Sequence, residues 1–138
     1  MIKKFKVGDI YLEEWIPTLD DINNYAKLSG DYNPIHINLE NVKKLGYSKV
    51  IVHGNLTCSV ISKVIGMHFP GKGSLILDQN VSFPNPIFPN DVIKFEFLVL
   101  SVNYELNILE IKLRAYKSNK EKMNANQAVL RGKIICQI

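Results

Sequence analysis

Cysteine is scarce in this chain: Cys58 and Cys136 are the only two among 138 residues. Their separation matches no metal-ligand spacing, so the pair points to a reducing compartment and to plain core packing. No arginine-rich stretch interleaved with aromatics is present, which leaves nucleic-acid binding without support. The basic start Met1-Ile2-Lys3-Lys4-Phe5-Lys6 is followed by no apolar run long enough for a signal peptide or a membrane span. The expectation is a cytoplasmic protein that does not engage the membrane. Repeats, low-complexity segments and linkers are also missing, so residues 1–138 read as one domain.

What is present is ordinary in bulk and informative in detail. A hydrophobic fraction of 46% with 22% charged residues is that of a globular protein able to bury its own core. The net charge of +4 is mildly basic and admits polyanionic partners. The early half reads as one strand and several helices. Gly8–Pro17 is the strand, and Thr18 with Asp21 resembles a capping pair opening a helix to about Leu28, stopped by Gly30. Asn38 caps a short helix through Lys44. A third helix runs from Gly54 to about Met67, with Leu56, Val60, Val64 and Met67 on one face, widened by Ile61 and Ile65. Such a broad stripe predicts a helix buried on most sides, ended by Phe69-Pro70-Gly71. The later half alternates with period two over 74–83, 91–102, 107–117 and 125–138, which predicts strands, with a polar turn at 117–122. Helices early and antiparallel strands late give an α+β domain.

The chemistry concentrates in Gly30-Asp31-Tyr32-Asn33-Pro34-Ile35-His36. Pro34 fixes its own φ and biases Asn33 away from helix, so Asp31 and His36 flank a stiff turn and can point into one space. A carboxylate and an imidazole sharing one water form a general acid–base pair. Downstream, His53-Gly54 opens the apolar helix, and a glycine N–H at a helix start is a ready oxyanion donor. Taken singly, each residue has a plainer use: Asp31 and Asn33-Pro34 as turn chemistry, His53-Gly54 as a loop-to-helix junction. The combination of Asp, Asn-Pro and His in one tight turn, followed by a glycine-opened apolar helix, is what points to catalysis.

Asp31-Tyr32-Asn33-Pro34-Ile35-His36, followed by Val52-His53-Gly54, resembles the signature of the MaoC-like (R)-specific enoyl-CoA hydratase family. Phe83-Pro84-Asn85-Pro86 with Pro89-Asn90-Asp91 resembles, more weakly, that family's Phe…Pro…Gly-Asp segment. Asn55 stands where the family usually has an apolar residue. Asn90 replaces the usual glycine, and asparagine also visits the left-handed region. The resemblance implies a hot-dog fold, a curved antiparallel sheet wrapped around the long central helix. It also implies a homodimer with joined sheets and an (R)-3-hydroxyacyl product.

On this reading Asp31 is the principal base and His36 positions water and relays the proton. The Gly54 N–H holds the charge that develops on the thioester oxygen. Asn33 orients the turn or is a turn residue only. The resemblance places Ser62 near the catalytic carboxylate, against ordinary helix packing. His53 is expected to be structural and His68 to contribute local capping. Leu56, Phe83, Ile87 and Phe88 are expected acyl-tunnel residues. Lys112, Arg114, Lys117 and Arg131 are either phosphate contacts or a solvated face. No cofactor and no metal is implied. The substrate is an enoyl or 3-hydroxyacyl thioester of coenzyme A or of acyl carrier protein. The same chemistry run backwards would make the protein a 3-hydroxyacyl-acyl-carrier-protein dehydratase. A hot-dog thioesterase is disfavoured because Gly54–His68 holds no Asp or Glu. A non-catalytic acyl-binding module would not need both Asp31 and His36.

Overall fold

Alternating apolar residues build the frame of the molecule. The computed structural model describes residues 2–118 and 127–138. Its strands are β1 (Ile10–Trp15), β2 (Leu75–Ser82), β3 (Ile93–Asn103), β4 (Ile108–Lys117) and β5 (Gln127–Gln137). They form one sheet in the order β1-β3-β4-β5-β2, with every neighbouring pair antiparallel. In β3 the buried set is Ile93, Phe95, Phe97 and Val99; in β4 it is Leu109, Ile111, Leu113 and Ala115. One face of each strand therefore meets the core and the other meets solvent. Most of the turn expected over 117–122, and the start of the last strand at Ala125, fall in 119–126, outside the described residues.

The helices are α1 (Leu19–Ser29), α2 (Pro34–Ile37), α3 (Leu39–Lys44) and α4 (Gly54–Met67). Thr18 and Asp21 close the expected capping box on α1, each side chain accepting from the other's backbone N–H, at 3.1 and 2.8 Å. Gly30 ends α1 at φ 78°, a conformation that costs glycine nothing. The stiff turn after it contains a short helix that the sequence did not announce. Asn33 caps α2 through its side chain, and Pro34 occupies the first turn, where its missing N–H is no loss.

On α4, Leu56, Thr57, Val60, Ile61, Val64 and Ile65 are buried, and the apolar ones share one core cluster with the sheet residues Phe95, Phe97, Leu113 and Ile134. Burying side chains of this size stabilises the fold by about 1.5–3 kcal/mol each before ordering costs are counted. The expectation of burial on most sides needs correcting, because Asn55, Ser59, Ser62, Lys63 and Met67 stay exposed. His68 follows α4 with its ring stacked on Tyr11 at 5.9 Å, and its backbone N–H, not its side chain, does the capping. Register breaks at Ile76/Asp78, Val99/Ser101 and Ala115/Tyr116 let the sheet curve around the helix. The break in β2 also ends the period-two pattern there, and most of that strand is exposed. A curved antiparallel sheet holding one long helix is the hot-dog arrangement. Asn90 takes φ 70°, the left-handed geometry that asparagine tolerates in place of glycine. Cys136 is fully buried, and burial pushes its thiol up to about 11, so it is a protonated packing residue.

Candidate active site

The chain leaves α1 through Gly30 and lays Asp31 beside the start of α2. The Asp31 N–H donates to Ser29 Oγ at 3.1 Å, and Asp31 Oδ1 accepts from the Asn33 N–H at 3.1 Å. Asn33 Oδ1 in turn accepts from the Ile35 N–H at 3.3 Å. These short links make the segment a rigid support, and they give Asn33 a turn-forming role. His36 is buried on α2, and its Nδ1–H donates to the Ile51 carbonyl at 2.6 Å. A carbonyl only accepts, so Nδ1 carries a proton, and in the neutral ring Nε2 is the acceptor. That Nε2 stands 3.9 Å from Asp31 Oδ2. The carboxylate is half-exposed and the imidazole is sheltered.

Residues 51–54 lie close beneath this pair. The Ile51 N–H donates to the Ile35 carbonyl at 2.9 Å, and the Val52 N–H to the Ile87 carbonyl at 2.8 Å. Gly54 is the first residue of α4, where an N–H has no partner within the helix and the helix dipole favours negative charge. A Cβ at Gly54 would sit 3.2 Å from the Phe83 ring, so only glycine leaves the present space free. A cavity of about 310 Å³ is lined by His36, Gly54, Thr57, Phe83, Asn85 and Ile87, among others.

The structure thus places His36 and Gly54 on one cavity wall and Asp31 beside His36, outside the cavity lining. It does not bring Ser62 to them; that residue is exposed on α4 and does not line the cavity. Of the expected tunnel residues, Phe83 and Ile87 line it. Leu56 faces a second hollow beside Tyr25 and Leu28, and Phe88 packs against Tyr47 and beneath Lys117. Thr57 and Asn85 were missed; their only signals are a place one turn after Gly54 and a place inside Phe83-Pro84-Asn85-Pro86. The four late cations stand apart from the cavity lining. Lys117 pairs with Asp91 at 2.7 Å and Arg114 with Glu96 at 3.5 Å, while Lys112 and Arg131 are exposed on the sheet.

His53, at the N-cap position of α4, is buried. It is 1% exposed, its Nε2–H donates to the Asp31 carbonyl at 3.1 Å, and its ring stacks on His36 at 3.8 Å. Burial pushes its pKa down; the Asp31 carbonyl works against that, and His36 beside it lowers it further. Asp31, His36 and His53 hold potential metal-ligand atoms within 4.8 Å of one another. They suit a metal poorly. The two rings lie within 26° of parallel, so their in-plane lone pairs do not converge.

Comparison with known proteins bears on the family and the fold. The model of the MaoC-like domain family matches residues 7–123. The (R)-specific enoyl-CoA hydratase of Aeromonas caviae is 30% identical over 111 residues, covering 80% of this chain and 83% of that protein. The mitochondrial 3-hydroxyacyl-[acyl-carrier-protein] dehydratase of Arabidopsis thaliana is 30% identical over 118 residues, covering 84% of this chain and 70% of that protein. The solved structure of an (R)-hydratase from A. caviae involved in PHA biosynthesis aligns at a TM-score of 0.89 and 25% identity, over 99% of this chain and 98% of that one. With a family match across most of its length and the same fold throughout, this chain belongs to the MaoC-like family and is an enzyme of its hydratase and dehydratase class.

Proposed function

We propose that this chain catalyses the reversible, (R)-specific hydration of trans-2-enoyl-CoA to (R)-3-hydroxyacyl-CoA. The observation that carries the reading is the 3.9 Å approach of Asp31 Oδ2 to Nε2 of His36, a residue that lines one cavity with Gly54. That spacing is too long for a direct hydrogen bond and short enough for both atoms to grip one water. Asp31 takes a proton from the water as its oxygen attacks C3. His36, neutral and accepting at Nε2, orients the water and relays the proton. Electron density moves from the C2=C3 bond onto the thioester oxygen, where the Gly54 N–H meets it. The proton removed from water is then delivered to C2, and the thioester carbonyl reforms. A preorganised donor of this type contributes about 10²–10³ in rate.

Run in reverse on a carrier-protein thioester, the same groups would perform a 3-hydroxyacyl-acyl-carrier-protein dehydration. The similarity to the A. thaliana dehydratase favours keeping that second reading. The proposal includes a cytoplasmic homodimer acting as a single-domain subunit, with no cofactor and no metal. No helix among the described residues is long and apolar enough to cross a membrane. The test follows the ultraviolet absorbance of a conjugated enoyl thioester as it is hydrated, with chiral analysis of the alcohol. Matched substrates on coenzyme A and on acyl carrier protein separate the two readings. Thioester hydrolysis with the double bond untouched would overturn both.

A further inference from the structure

We infer that His53 is a positioning residue that holds the Asp31–His36 pair in register. The inference rests on the hydratase reading above. His53 occupies the N-cap of α4, a place where Ser, Thr, Asp or Asn would normally accept from the helix. Its side chain makes no such cap bond. The ring turns back instead, beneath the two groups proposed to do the chemistry. Its Nε2–H fixes the Asp31 carbonyl at 3.1 Å, and its flat face supports the His36 ring at 3.8 Å. Tyr25 meets the same ring edge-on at 4.8 Å.

His36 is consequently fixed on two sides, by the Ile51 carbonyl at its edge and by His53 on its face. Asp31 is held by its own backbone carbonyl, one residue's geometry away from the carboxylate. The arrangement carries a cost. His53 Nδ1 is buried and has no hydrogen-bond partner among the described residues. A phenylalanine would fill the space without that orphan atom, but it would lose the donor to Asp31. An imidazole that stays neutral supplies the donor and also leaves His36 free to take a proton without a second cation stacked on it. These two demands together select a buried neutral histidine.

The test compares His53→Phe, His53→Gln and the double variant His53→Phe/Asp31→Asn. Gln keeps an N–H at a similar reach, and Phe keeps only the ring face. His53→Phe should lower kcat by about 10–10²-fold at nearly unchanged KM, the scale of a small misplacement of catalytic groups. His53→Gln should recover most of that loss. In the Asp31→Asn background, His53→Phe should cost less than about twofold, because it acts through a pair already disabled. The His36 ring resonances in NMR should move in both single variants, and this is read without turnover. That readout separates the inference from the hydratase reading, which fails if wild-type protein hydrates nothing. If the Phe variant does not fold, His53→Asn, too short to reach the Asp31 carbonyl, takes its place with the same expected loss. A folded Phe or Asn variant with wild-type kcat, full multiplicative loss in the double variant, or unmoved His36 resonances would each overturn the inference.

Discussion

His36 donates through Nδ1 to the carbonyl of Ile51 at 2.6 Å, while the Ile51 N–H donates to the carbonyl of Ile35, the neighbour of His36, at 2.9 Å. Two reciprocal links therefore tie α2 to the segment leading into α4, and they leave His36 Nε2 as an acceptor facing Asp31. Removing either end of that acid–base path should be far more costly to rate than to folding. Asp31→Asn and His36→Gln should each lower kcat for a short enoyl thioester by about 10²–10⁴-fold. The double variant should be little worse than the poorer single one, since parts of one proton path do not add. An Asp31→Asn enzyme with near wild-type kcat would show that another group is the base.

Gly54 and Phe83 are matched in size across the cavity. A methyl at position 54 would meet the Phe83 ring at 3.2–3.4 Å, a contact that a ring can yield to by a few tenths of an ångström. Gly54→Ala should therefore fold normally but crowd the thioester, with activity lower by about tenfold. Shrinking the opposing wall in Gly54→Ala/Phe83→Leu should restore much of it. If the double variant is no better than Gly54→Ala alone, the clash is not the cause.

Gly132 presents the opposite case, because its neighbour cannot yield. A Cβ there would lie 2.1 Å from the Asn80 carbonyl oxygen and 2.9 Å from Val81 Cα. Both belong to the backbone of β2, which pairs with β5 at this point. Gly132→Ala should separate the two strands and cost about 3 kcal/mol or more, at the severe end of overpacking. The urea midpoint reads this directly. A midpoint equal to wild type would mean that β2 does not approach β5 this closely.

Most of the fold was legible because local signals and burial agreed. Gly54–Met67 was readable as a helix from its apolar spacing, and the buried rows of β3 and β4 from strict alternation. β2 was readable as a strand over 74–83, but its alternation did not report burial, because a bulge at Ile76/Asp78 breaks the period and the strand lies at the sheet edge. α2 was invisible because only four residues form it, too few to show any period. In the site, Asp31, His36 and Gly54 could be found because they are close in sequence or sit at a helix start. Asn85 and Thr57 enter the cavity through tertiary packing, which no local pattern encodes. Burial of His53 is likewise a consequence of what stacks on it, so sequence reasoning assigned it a structural place without seeing its contact with His36.

The buried state of His53 also makes stability depend on pH in a defined window. Its folded pKa lies below the ordinary 6.5, chiefly through burial, whereas in the unfolded chain it returns to that value. The unfolded state therefore binds more protons between the two values, and stability falls as pH drops through 6.5 toward the folded pKa. Above that window the contribution is constant. Glu13, held low mainly by its bond to Lys63, weakens the protein only below 4.5, so it does not confuse the measurement. Urea midpoints should decline from pH 7.5 to pH 5.5 in the wild type and change less in His53→Phe. Equal slopes in the two proteins would exclude His53 as the source.

The free edge of β2 argues for a second copy of the chain. Among the described residues β2 pairs with β5 on one side only, and Leu75 and Leu77 are 62% and 52% exposed along it. Phe83, which immediately follows the strand and lines the cavity, is 45% exposed as well. An uncovered edge with apolar side chains is an aggregation hazard that proteins avoid by pairing, covering or charging it. Pairing β2 with its counterpart would cover these residues and extend one sheet into the next. Light scattering at micromolar concentration should therefore give twice the chain mass of 15.7 kDa. Leu75→Lys/Leu77→Lys should shift the species toward a folded monomer, because like charges would meet across the symmetric edge. A wild-type monomer at that concentration would overturn the proposed dimer, and an unchanged dimer in the double variant would place its interface elsewhere.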